Sequence, residues 1–471
     1  MKRIFIFIML LFFSGTLFAQ NFSDYFVDKT MRVDYYHSGT KGSELFAIDQ
    51  IYDAGIWAGS QTNLNTTLNL GEYQVRVFDS ASGKMIYSRG YSTIFNEWQT
   101  TPDAKVNHHT FHETLLLPMP KSKIKMGIYR RDKKMNFVEK WVTEIDPTND
   151  AIMNKAVNKP GYKVSALMEN GPSSEKVDIV IVGDGYTKEE MEQFRKDAKY
   201  HNDAMFNTEP FKSRKNDFNV WLVEVVSEES GISKPDKNIW KNNALGCRYY
   251  SFNSPRYVLT ENNKALRDAA GLVPYDYVNI LINDNRYGGG GIYNLYTTNY
   301  MRVDTKGQEW QMEYVYVHEF GHSFAGLGDE YYSSSTGYDE FYAAGVEPWE
   351  ANVTALLDPK NIKWKSFMKE EIPLPTPWEK EEYDGVAAER SKLDRLAAGY
   401  YDKREPFISR QNEILENSKF TGKVGAFEGA GYERFGLYRP AANCRMFSLS
   451  LVDFDPVCSA TLEKVIDYLA K

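Results

Sequence analysis

Two histidines and a glutamate carry the most chemistry in a chain that has only seven histidines. They lie in the stretch Val317-His318-Glu319-Phe320-Gly321-His322-Ser323-Phe324-Ala325-Gly326-Leu327-Gly328-Asp329-Glu330. On a helix, residues four apart share one face, so the imidazoles of His318 and His322 can reach one ion. Zinc accepts neutral imidazole nitrogen at about 2.0–2.1 Å and favours four tetrahedral ligands. Glu319 follows the first histidine. Its carboxylate can meet a water at the ion without binding the ion, which is where a general base for hydrolysis belongs. The competing reading is a pair of buried or capping histidines on an ordinary helix.

A third ligand is needed. Gly326 can end the helix in the left-handed conformation that residues with a Cβ resist. The chain then turns, and Asp329 arrives three residues later. The spacing is H-E-x-x-H-x-x-x-G-x-x-D, against the metzincin pattern H-E-x-x-H-x-x-G-x-x-H. Ala325 and Gly328 occupy the metzincin glycine and third-ligand positions, and Gly328 has no side chain to offer. Asp329 is the expected third ligand and Glu330 its rival. A solvated acidic helix end is the remaining alternative.

The site helix is expected from about Gln308 to Gly326. Before it, Val177–Val182 reads as a buried strand. Thr187 with Glu190 forms a capping box that opens a helix to about Met205. Strands follow at Phe218–Val226 and Tyr277–Ile282. The run Gly288–Gly291 reads as a flexible approach to an edge strand. This order is mixed α/β. Residues 21 to 150 differ. Tyr73, Val75 and Val77 alternate with polar residues, and a turn leads into Met85–Tyr87 as a hairpin. Lys123–Tyr129 and Phe137–Val142 form a second such pair. The fold class expected is two-domain: an N-terminal all-β sandwich plus a C-terminal α/β domain. The boundaries read are 1–19, 20–150 (sandwich), 151–172 (linker) and 173–471. His108, His109 and His112 cluster in the first part and read as a surface loop, since no Cys or acidic array completes a metal site there.

The first residues set the compartment. Lys2 and Arg3 precede an apolar run from Ile4 to Phe13, then small residues up to Ala19. That is the pattern of a cleavable leader, cut after Ala19. The run is short for a membrane span, and no Cys follows it to carry a lipid. Residues 1–19 are thus expected as a signal peptide, and the protein as secreted, periplasmic or at the cell surface, without stable membrane insertion. The formal net charge of -8 argues against a general nucleic-acid binder. Tyr (32), Phe (27) and Trp (9) supply enough apolar surface to exclude disorder as the main state. Three cysteines, an odd number, leave at least one free or paired with another chain. Cys444 and Cys458 are near enough in sequence to close a short loop.

The motif and its surroundings resemble the IgA-peptidase family of bacterial zinc metallopeptidases, which are metzincin-like. The resemblance is carried by Gly183–Thr187, His318–Tyr331, Asn352–Thr354, Gly425–Tyr432, Gly436–Pro440, Asn443–Met446 and Pro456–Cys458, in the expected order. It implies a metzincin-like zinc peptidase domain with a β-rich domain before it. It implies zinc ligands His318, His322 and Asp329, a general base Glu319, and Met446 as the methionine of the Met-turn. Where metzincins often carry a Tyr just after that Met, Phe447 and Ser448 stand here, so the oxyanion-stabilising group is open, with Tyr438 and Arg439 as weak candidates. By the same resemblance, Ile292–Asn299 takes the place of the edge strand that pairs with extended substrate.

The function expected is a zinc-dependent endopeptidase acting on a protein or peptide substrate. Two alternatives stand beside it: an exported protein- or glycan-binding module with an idle zinc site, and a zinc hydrolase of a non-peptide amide. Nothing in the sequence selects immunoglobulin as a substrate, and nothing in it sets the oligomeric state.

Overall fold

Period-two alternation puts Tyr73, Val75 and Val77 on one face of a strand, and all three are buried. The computed structural model describes residues 21–155, 157–302, 307–332, 337–369, 371–394 and 399–470. The expected leader, residues 1–19, lies outside them. In chain order the first strands are β1 (Phe26–Thr40), β2 (Ser43–Asp53), β3 (Tyr73–Asp79), β4 (Met85–Tyr91), β5 (His109–Pro120), β6 (Ile124–Arg131), β7 (Phe137–Ile145) and β8 (Met153–Asn154). Among the described residues they make two four-stranded sheets, ordered β5-β1-β2-β8 and β4-β3-β6-β7. Met31, Val33 and Tyr35 of the first sheet and Val75, Met126 and Ile128 of the second share one core. Both hairpins read from the sequence form, as β3–β4 and β6–β7.

His109 and His112 lie in strand β5 rather than in a loop. Three apart on a strand, they face opposite ways. His109 stacks on Phe111, while His112 Nε2 meets Asp49 and its Nδ1 meets Asn263.

The later strands are β9 (Lys163–Met168), β10 (Val177–Asp184), β11 (Phe218–Glu224), β12 (Tyr277–Ile282), β13 (Gly289–Ile292) and β14 (Tyr296–Tyr300). Among the described residues they form one six-stranded sheet ordered β13-β14-β12-β10-β11-β9. β14, β12, β10 and β11 run parallel, with β13 and β9 antiparallel at the edges. β9 lies inside the stretch 151–172, so part of the expected linker is a sheet edge. Every residue of β10 is buried, as a parallel strand covered on both faces requires. Ile179 and Ile181 face a core shared with Phe194, Val317, Phe320 and Leu462 of the helices Met191–Met205, Trp310–Ala325 and Pro456–Leu469. Val180 and Val182 face the other way, into a core that also takes Phe95, Trp98 and Phe111 of the N-terminal part.

The two parts are therefore packed together. Arg32, buried in β1, forks onto Asp34 and reaches Asp268 at 2.6 Å. The Ser92 N–H donates to Tyr293 O at 3.0 Å, and Asn294 Nδ2 donates to Gly90 O.

The edge strand is not where the sequence resemblance put it. Ile292–Asn299 spans the turn between β13 and β14, and β14 is interior. The edge is β13, built from the glycine run itself. Glycine has low strand propensity, so the run reads as flexible in sequence. Packing requires it. A Cβ on Gly291 would lie 2.3 Å from the Glu319 carbonyl oxygen, and one on Gly289 would lie 2.7 Å from Thr298 O. Only glycine at positions 289 and 291 lets the site helix lie this close.

Candidate metal centre

The helix Trp310–Ala325 is covered on most sides, with Val317, Phe320 and Phe324 in one apolar cluster and Met312, Tyr314 and Val315 in another. Burying each large apolar side chain contributes roughly 1.5–3 kcal/mol. Gly326 ends the helix at φ 59°, and its N–H returns to His322 O at 2.9 Å. A Cβ there would also meet the Trp349 ring. This left-handed step turns the chain back under the histidines.

His318 Nε2 and His322 Nε2 lie 3.1 Å apart. Asp329 Oδ1 is 2.9 Å from the first and 3.2 Å from the second. Ligands at about 2.0–2.1 Å from a tetrahedral ion would be about 3.3 Å from one another. The donor set therefore fits a metal ion. The outer nitrogens are held as ligation requires. His318 Nδ1–H donates to Arg445 O at 3.0 Å, and His322 Nδ1–H donates to Leu327 O at 2.5 Å. Each carbonyl fixes the tautomer and leaves Nε2 free to bind.

Charge follows the same geometry. Burial alone would lower the His322 imidazole, but the Asp329 charge and hydrogen bond overcome it and push it up to about 9 in the metal-free chain. Burial alone would raise Asp329, yet the charge of His322 and the hydrogen bonds of both histidines hold it well below the usual range. The Glu319 carboxyl is raised by its shielding from bulk water, against the opposing pull of His318 and His322.

Glu319, His322 and Asp329 line a cavity of about 430 Å³. The N-terminal part contributes Glu97, Arg130 and Arg131 to its lining. The Glu97 carboxylate accepts from Tyr257 Oη and, at 3.1 Å, from Tyr338 Oη. Strand β13 forms another side. Gly289 is already bonded outward to Arg256 O and Val258 N, and Tyr293 O to Ser92 N. Backbone direction alternates along a strand, so Gly291 is the outward position between them.

Met446 is fully buried beneath the helix, its Sδ 3.1 Å from where a Cβ on Gly321 would stand. Glu330 is not with the histidines. Its carboxylate turns the other way, to Asn352 Nδ2 at 2.9 Å and to Cys458. Phe447, Ser448, Tyr438 and Arg439 do not line the cavity. Phe447 stacks on the Arg439 guanidinium at 3.6 Å, and Ser448 bonds to Asn443. Among the tyrosines that do line it, Tyr331 and Tyr432 stand beside the three donors and had no role in the sequence. Tyr432 Oη donates to Asp329 Oδ2. Tyr331 lies near-parallel to His318 with ring centroids 6.1 Å apart, and its hydroxyl oxygen accepts from Arg256 at 3.1 Å. Both fall inside stretches that carry the family resemblance, but a tyrosine in sequence gives no sign of which way it points.

The family model described as IgA Peptidase M64 matches residues 165–466. The chain belongs to the M64 IgA-peptidase family. A second model, described as Peptidase M64 N-terminus, matches residues 21–142 of this M64 peptidase. No curated protein matches the chain. As an M64 peptidase it is a hydrolase of protein or peptide substrates, of a metallopeptidase family. Among the described residues of this M64 peptidase no helix is long and apolar enough to cross a membrane. Its three thiols are unpaired.

Proposed function

We propose that this M64 peptidase is an exported zinc endopeptidase with a metzincin-like catalytic domain. The observation that carries the reading is the convergence of His318 Nε2, His322 Nε2 and Asp329 Oδ1 at 2.9–3.2 Å beside the Glu319 carboxylate. His318, His322 and Asp329 would hold the ion. Zinc, when bound there, supplies Lewis acidity toward a carbonyl and acidifies a neighbouring water.

The chain's own residues do the rest. Glu319 takes a proton from the attacking water and returns it to the leaving nitrogen. Its raised carboxyl suits both halves of that task. Gly291 presents its outward N–H and C=O to the substrate backbone. Tyr331 accepts from Arg256, which leaves its own proton to donate to the developing oxyanion. Met446 packs under the helix and holds the histidines in place. The leader over residues 1–19 directs export.

The test uses the chain from Gln20 to Lys471. Bound metal is measured, and a peptide library is digested with and without chelator. The reading expects zinc in the protein, internal cleavage of peptides, loss with chelator and return with zinc. Zinc-loaded protein that cleaves no peptide would make it a binding module or a hydrolase of another amide.

A further inference from the structure

Behind the histidines, across the loop that carries Asp329, lies a second group of ligand-type side chains. Glu330, Cys444, Asp455 and Cys458 each offer one atom, and these atoms all lie within 4.8 Å of one another. Glu330, Cys444 and Cys458 are 0% exposed and Asp455 is 4% exposed. Both thiols are free.

Two carboxylates buried against two thiols need compensation, because a buried charge or polar group persists only when it is paired. Here the pairing is half complete, and in one direction. Asp455 Oδ1 caps the C-terminal helix, accepting from the N–H groups of Val457 and Cys458 at 2.7 and 3.1 Å. Glu330 Oε1 accepts from Asn352 and from the Cys458 thiol. The second oxygens, Asp455 Oδ2 and Glu330 Oε2, have no hydrogen-bond partner among the described residues. Cys444 Sγ accepts from the N–H groups of Asp455 at 3.3 Å and Met446 at 3.5 Å. Nη1 and Nη2 of Arg439, the cation whose charge bears on Glu330, are directed instead at the carbonyls of Glu428, Gly429 and Ala442, and its Nε has no hydrogen-bond partner among the described residues. One oxygen of each carboxylate is hydrogen-bonded and the other is not.

We propose that Glu330, Cys444, Asp455 and Cys458 form a second zinc site, structural rather than catalytic. Two sulfurs and two carboxylate oxygens make a closed four-ligand set with no position left for water or substrate. Thiolate ligands select zinc over calcium or magnesium, which take oxygen alone. Binding breaks the two S–H bonds, releases both protons to solvent and forms two sulfur–metal bonds, with no change of oxidation state. The site would join three segments that shape the first centre. Glu330 follows Asp329, Cys444 stands two residues before Met446, and Asp455 with Cys458 begins the helix Pro456–Leu469. Its ion would hold the floor of the catalytic site.

The test is zinc per chain by elemental analysis after purification with zinc present. The proposal expects two zinc ions in wild type, one in the double variant H318A/H322A and one in C444S/C458S. Cobalt placed in H318A/H322A should show thiolate-to-cobalt charge-transfer absorption, and thiol titration in denaturant with chelator should find all three cysteines free. If C444S/C458S does not fold, H318A/H322A decides alone. Folded H318A/H322A without zinc would overturn the proposal. So would a single titratable thiol, which would show that Cys444 and Cys458 form a disulfide instead.

Discussion

Tyr432 donates its hydroxyl proton to Asp329 Oδ2, while Oδ1 of the same carboxylate faces both histidines. The two residues come from segments far apart in sequence, and Tyr432 holds a left-handed φ of 66° to make the contact. Such strain in a residue with a Cβ persists only where the surroundings impose it. The hydroxyl aims the carboxylate. Y432F should keep the fold and weaken metal binding about 10- to 100-fold, the usual cost of losing an outer-shell partner. Competition against a metal-binding dye reads this directly, and unchanged affinity would remove Tyr432 from the centre.

Tyr331 makes a different prediction. Its hydroxyl contacts Arg256 and not the ligands. Y331F should retain metal in full and lose about 100-fold or more in kcat, as for a lost oxyanion donor. Steady-state kinetics beside elemental analysis separates the two effects. Wild-type kcat would leave the oxyanion to another group.

Gly291 tests how the site helix is seated. A Cβ there would fall 2.3 Å from Glu319 O, a backbone atom that cannot swing aside. G291A should destabilise the protein by about 1–3 kcal/mol, as overpacking does, and lower activity. Thermal melting measures it, and an unchanged melting temperature would show that β13 and the helix can part.

The candidate site was legible in sequence as far as local geometry reaches. His318, Glu319 and His322 are set by helix periodicity, and Gly326 by the need for a left-handed step. Asp329 and Glu330 are neighbours in sequence, and only the turn of the chain separates them, one toward the histidines and one toward Cys458. Tyr331, Tyr432, Arg256 and Glu97 were not readable, because each acts across long stretches of chain. The edge strand was misplaced for a related reason. Its glycines look flexible by propensity, and the close approach that requires them belongs to a helix not yet in place when the strand is read alone.

Glu97 gives a pH dependence. Burial raises its carboxyl to about 7, against the lowering effect of Tyr257 and Tyr338. A carboxyl raised in the folded state favours folding in its protonated form. Its contribution is present in full below the unfolded value near 4.5 and is lost as pH rises through about 7. The shift corresponds to about 3 kcal/mol at most. E97Q should match wild type in melting temperature near pH 4.5 and exceed it above pH 7. A constant difference across that range would contradict the assignment.

The most direct measurement is bound metal and peptide hydrolysis on E319Q beside wild type. The Glu319 carboxylate shares the cavity with His322 and Asp329 and is not one of the three converging donors. E319Q should hold as much zinc as wild type and hydrolyse a sensitive peptide at least about 10³-fold more slowly, the loss expected for a general base. Hydrolysis at the wild-type rate, or loss of zinc along with activity, would contradict the role given to Glu319.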